Sequence, residues 1–253
     1  MAQEAARLDT HPLMSDADYV RDLVRSGDQD RYWAALMMPQ PGRDHLLALY
    51  AFNIELARIG EQVREPALGE IRLQWWRDVL DAPGETTGHP VADRLSEARR
   101  ACDLPVEWLA AMMDARSLDV GHQPVAEMTA LEDYLAASAG MLFRLGAWIA
   151  GARDEPAANA AREAALAYGL TGLMRALPYH AARGQLYIPA DFLSAFGVDG
   201  AEVLAGKESD GLRIALGVLR DRAREHLANF RSAARGLPAA TLPVFLPLAL
   251  VPA

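Results

Sequence analysis

Three groups of residues carry the side chains that could do chemistry. The first lies on one helical stretch, Arg43 to Glu65, where Glu55, Arg58, Glu61 and Glu65 interrupt an otherwise apolar sequence. Glu61 and Glu65 are four apart and share a helix face, with Arg58 three before Glu61 on nearly that face. Such a set is either a solvated, ion-paired helix end or a polar patch on a cavity wall. The second group is Arg72, Trp75, Trp76 and Arg77. Adjacent tryptophans point about 100° apart on a helix, so both are buried only if it is packed on two sides. The balance favours both as core, with a cavity wall as the alternative. The third group is Arg175, Tyr179, His180 and Arg183, around Pro178. A proline-induced kink would bring them to one side and free a carbonyl near Met174. Their plain reading is a helix C-terminus whose cations suit the macrodipole. Their functional reading is an anion site, because guanidinium groups bind phosphate or carboxylate without metal and a histidine titrates near neutral pH.

Other polar residues suggest less. Asp114 and Asp119 are five apart and do not align well for one metal, and His122 reads as a loop histidine. One cysteine, Cys102, can form no internal disulfide, and there is no Cys/His cluster of zinc spacing.

The elements that must position these residues are helices. Apolar residues recur at spacings of three and four, alanine and leucine dominate, and β-branched runs are rare. Helices are predicted at 15–25, 31–38, 43–64, 67–81, 91–101, 105–118, 130–152, 157–177, 211–237 and from 241 onward, with a loop over 187–200. No βαβ alternation or internal repeat is visible. The expectation is a single all-α domain of about ten helices centred on 43–64 and 130–177. The chain has 253 residues, 51% hydrophobic and 23% charged, enough apolar material for a sizeable core. The net charge of −9 argues against a broad nucleic-acid face. The first twenty residues lack the basic and apolar regions of a secretory signal. No stretch of 18 apolar residues is present to span a membrane. The terminal TLPVFLPLALVPA reads as a helix start or a docking segment. Nothing downstream covers its apolar face, so a longer chain or a partner is expected there.

In order along the chain, ALYAFN (48–53), RLQWWRDVL (72–80), LAAMMDARSLDV (109–120), YLAASAGMLFRLGAWIAG (134–151), GLTGLMR (169–175) and RGQLYIPADFL (183–193) resemble the squalene/phytoene synthase family. Each piece is weak alone, but the ordered set, strongest over 30–198, is specific. The resemblance implies one isoprenoid synthase-like helical bundle over 1–253, with a central cavity and the C-terminal helices truncated. It implies head-to-head condensation of prenyl diphosphates, with Mg²⁺ held by two DxxxD-type motifs. The physical requirement is clear: a leaving diphosphate needs cations, and Mg²⁺ takes hard oxygen ligands.

At those two places the chain departs from the pattern. The first motif falls on ARIGE, Ala57 to Glu61, where only Glu61 keeps a carboxylate. The second falls on ALPYH, Ala176 to His180, where neither acid remains. This departure resembles the branch of the family that contains the mitochondrial assembly factor for respiratory complex I. The implied function is a non-catalytic role in complex I assembly, through complex I subunits or other assembly proteins, or by holding a lipid or isoprenoid. No cofactor is expected, no nucleic acid, and at most peripheral contact with the inner membrane from a cytoplasmic position. The alternatives are a Mg²⁺-dependent prenyl transferase using Glu55, Glu61 and Glu65, and a lipid-binding module without chemistry. The candidate site comprises Glu55, Arg58, Glu61, Arg72, Trp76, Arg175, Tyr179, His180 and Arg183.

Overall fold

The structure, a computed structural model, describes residues 14–62, 65–82, 86–121 and 125–251. His122 and the start of the chain lie outside the described residues. Helices account for most of what is described, and no strand occurs among the described residues. In chain order they are α1 (Asp16–Gly27), α2 (Gln29–Leu36), α3 (Gly42–Gln62), α4 (Pro66–Asp81), α5 (Pro90–Cys102), α6 (Val106–Gly121) and α7 (Met128–Leu135). There follow α8 (Met141–Ile149), α9 (Glu155–Ala181), α10 (Ala190–Ser194), α11 (Gly200–Leu204), α12 (Asp210–Ala233) and α13 (Leu242–Phe245).

Local chemistry explains the starts. Ser15, Asp28, Asp154 and Ser209 each accept a backbone N–H at the first turn of α1, α2, α9 and α12. Proline at the first positions of α4, α5 and α9 costs nothing, since its missing N–H would have no helical partner there.

Helix α3 is the axis of the bundle. Leu46, Leu49, Tyr50, Phe52 and Leu56 are fully enclosed, and α1, α5, α6 and α8 surround the helix. A helix apolar on most of its circumference can only be central. The second half of α9 forms a smaller cluster with α7 and α12, in which Leu135, Leu170, Tyr187 and Leu219 meet. The α9–α12 pairing is the most extensive in the molecule.

Several predicted boundaries move. The single helix expected over 130–152 is α7 and α8 joined by a π-helical turn, Ala136–Gly140. The loop expected over 187–200 contains α10 and leads into α11. Helix α9 does not stop before Pro178 but continues to Ala181. A proline in the last turns removes one hydrogen bond, and the rest of a long, packed helix holds the geometry. The chain then turns at Gly184, whose φ of +74° suits a residue without Cβ. The terminal segment docks on the chain's own core. Val244, Phe245 and Leu248 are buried, and Phe245 stacks on Phe143 with centroids 5.6 Å apart. Its outer leucines, 242, 246 and 250, remain exposed.

Candidate functional site

The nine candidate residues separate into two regions, one at α3–α4 and one along α9. At the end of α3, Arg58 pairs with Glu55 at 3.2 Å. Both line a cleft of about 430 Å³ with Arg72, Trp75, Trp76 and His89. The Glu61 side chain lies outside the described residues. Trp76 is buried, edge-on to Phe52 at 5.0 Å. Trp75 is not core as the residue pattern suggested: it is 39% exposed and forms the outer wall of the cleft. His89 closes the corner, its ring 5.3 Å from Trp75 and 5.5 Å from Trp76.

Along α9, Arg175 is exposed and faces a groove of about 330 Å³ shared with Met174, Arg213, Leu216 and Arg220. One turn on, the Arg183 guanidinium lies 5.3 Å from the Tyr179 ring centre. The His180 ring meets both Tyr179, edge-on at 5.5 Å, and Tyr187, edge-on at 4.9 Å. Tyr179, His180 and Arg183 therefore come together at the end of α9, while Arg175 faces its groove.

Between the ends of α3 and α9 lies a polar cluster that the candidate list omits. Arg116 on α6 donates to Asp119 Oδ2 at 2.8 Å and to Asn53 Oδ1 on α3 at 3.0 Å. Asp119 Oδ1 accepts from the hydroxyls of Tyr134 at 2.9 Å and Tyr187 at 2.6 Å. Gln185 in turn donates to the Tyr187 oxygen at 2.7 Å. Burial, followed by the neighbouring phenol and the Asp119 charge, pushes the Tyr187 hydroxyl far above the usual phenol range. Burial does the same to Tyr134, although Arg116 opposes it. Both tyrosines are thus fixed as neutral donors. Burial disfavours the Arg116 cation, yet Tyr134 and Asp119 outweigh it and keep the group charged. Asp119 touches the end of α3 directly: a Cβ on Gly60 would meet the Asp119 Cβ at 3.1 Å. The i, i+3 spacing of Arg116 and Asp119 was a visible signal; their tyrosine partners were not.

A second buried cation, Arg31 on α2, pairs with Asp28 at 2.6 Å and lies over the rings of Tyr168, at 4.8 Å, and Tyr50, at 5.8 Å.

These donors do not suit Mg²⁺. Ala57, Arg58, Ala176 and His180 occupy places where hard carboxylate oxygens would be needed, and Glu61 alone keeps one. The nearby carboxylate, Asp119, is saturated by the chain's own donors. Among the described residues, no three His, Cys, Asp or Glu side chains come close enough to hold a metal ion.

The sequence profile of the squalene/phytoene synthase family matches residues 24–253. The chain is 31% identical over 230 residues to NADH dehydrogenase (ubiquinone) complex I, assembly factor 6, from Bos taurus, covering 90% of this chain and 69% of that protein. The Homo sapiens protein of that name is 30% identical over the same shares. A phytoene synthase from Thermus thermophilus is 28% identical over 220 residues, covering 85% of this chain and 72% of the enzyme. Among solved structures, squalene synthase HpnC from Alicyclobacillus acidocaldarius superposes with a TM-score of 0.78 at 23% identity, covering 92% of this chain and 89% of that one. That likeness concerns the all-α fold.

Proposed function

The chain belongs to the squalene/phytoene synthase family, and from that premise we propose that it serves respiratory complex I assembly as a non-catalytic member. One observation carries the reading. Of the acids expected at the two magnesium-binding places only Glu61 remains, Ala57, Arg58, Ala176 and His180 standing at the others, and the nearby Asp119 carboxylate is engaged internally. Similarity to the assembly factor 6 proteins supports the biological role.

On this reading the chain works by contact with complex I subunits or their assembly proteins. The groove beside Arg175 suits the anionic end of a lipid or isoprenoid, because Arg175, Arg213 and Arg220 rim it over the apolar side chains of Met174 and Leu216. No helix among the described residues is long and apolar enough to cross a membrane, so action at the inner membrane face would be peripheral.

The test is a clean deletion in the native host. Loss of assembled complex I on native gels, with loss of its NADH-oxidising activity and restoration by the intact gene, is expected. Unchanged complex I overturns the proposal. Release of diphosphate from prenyl diphosphates would instead make the chain a transferase.

A further inference from the structure

The cleft between α3, α4 and the start of α5 is built for a ligand that the assembly role does not explain. Its floor is rigid. Trp76 is only 4% exposed and is braced by Phe52 and His89, with interplanar angles of 67° and 80°. Trp75 meets Trp76 edge-to-face at 4.9 Å and 74°. The rings do not stack on one another, so the outer indole face is left for a flat guest. His89 is held by a backbone contact, its Nδ1 accepting the Ala92 N–H at 3.4 Å. In the neutral ring the proton then sits on Nε2.

The charges point to an anion. Among the described lining residues, Arg58 and Arg72 are accompanied by one carboxylate, Glu55, which pairs with Arg58. Arg72 has no ion-pair or hydrogen-bond partner among the described residues. Among the described residues that line it, the cleft sets two cations against one anion, on a chain whose net charge is −9. Its volume of about 430 Å³ lies within the range of small-molecule sites.

We propose that this cleft binds a small aromatic carboxylate, with the planar ring against Trp75 and the carboxylate on the Arg72 guanidinium. A guanidinium fork matches a carboxylate in two parallel hydrogen bonds, and an indole face supplies apolar area with little entropy loss. The proposal is independent of the assembly reading, since neither Arg175 nor the Asp119 cluster takes part.

The test is isothermal titration of the full chain with naphthalene-2-carboxylate, using naphthalene-2-methanol as the uncharged control. Saturable binding of the carboxylate is expected, with the alcohol at least about tenfold weaker, because a hydrogen bond to a charged group is lost. Arg72→Ala and Trp75→Ala should each weaken binding about tenfold or more, while Arg175→Ala leaves it unchanged. Both substituted side chains are exposed, and unchanged thermal melts would confirm that the variants are folded. No binding at millimolar carboxylate, equal binding of the alcohol, or binding that survives both Arg72→Ala and Trp75→Ala overturns the proposal.

Discussion

The Tyr187 hydroxyl donates to Asp119 at 2.6 Å across 68 residues of chain. This contact ties the segment after α9 to the end of α6. Asp119 in turn abuts Gly60 near the end of α3. One carboxylate thus links the end of α3 to the segment that follows α9.

Asp119→Ala should cost about 3–5 kcal/mol, because it leaves the Arg116 guanidinium buried without its counter-charge. Tyr187→Phe should cost less, about 1–3 kcal/mol, since one donor is removed and Gln185 loses its acceptor. Urea unfolding of the two variants checks the order. Equal, small losses would show that the cluster is not a cross-brace.

Incubation with farnesyl or geranylgeranyl diphosphate and Mg²⁺ should release no diphosphate above the blank. Steady release that vanishes in Glu61→Ala would identify an unusual metal site and refute the non-catalytic reading.

Arg175→Ala and His180→Ala should separate function from stability. Arg175 is exposed on its groove, so its loss should abolish complementation of the deletion while the melting temperature stays put. His180 packs against Tyr187, so its loss should lower the melting temperature as well. A large thermal shift in Arg175→Ala would assign that residue a structural role.

Asp93 gives the chain an acid-sensitive joint. Burial pushes its carboxyl up, but the Thr87 N–H and hydroxyl and the Gly88 N–H outweigh that and hold it below the usual range. A depressed folded-state value contributes stability above the unfolded value of about 3.9, and that stability is lost as pH falls through the folded value. Asp93→Asn should therefore be less stable than the parent at pH 7, with the gap closing towards pH 3. A gap independent of pH would contradict the assignment.

Two glycines of α12 should respond in opposite senses to alanine. A Cβ on Gly211 would sit 2.4 Å from the Phe196 carbonyl oxygen, so Gly211→Ala must displace backbone. Gly217 meets only the flexible end of Arg220 at 3.8 Å. Gly217→Ala should stabilise by about 0.5–1 kcal/mol through helix propensity. Thermal melts of the pair decide.

The helical frame was readable because its signals are local. Ser15 and Pro66 announce the starts of α1 and α4 from their own chemistry. The apolar circumference of α3 was equally visible, and it is the axis. The Asp119 cluster was not, since the partners of that carboxylate lie 15 and 68 residues away and meet it only through packing. Its spacing from Asp114 was weighed for a metal, whereas its actual partners are hydroxyls and a guanidinium. Trp75 and Trp76 were indistinguishable by type, and it is Trp76 that meets Phe52 of α3 and is enclosed.

The π-helical turn between α7 and α8 acts as a phase shifter. One extra residue in a helical turn rotates everything after it by about 100° relative to what precedes. Upstream of it, Tyr134 aims its hydroxyl at Asp119; downstream, Leu142, Phe143 and Leu145 enter the main core. An uninterrupted α-helix could satisfy one of those orientations or the other. A single-residue deletion within 136–140 would therefore keep the segment helical and throw the two halves out of register, uncoupling the polar brace from the core it stands on.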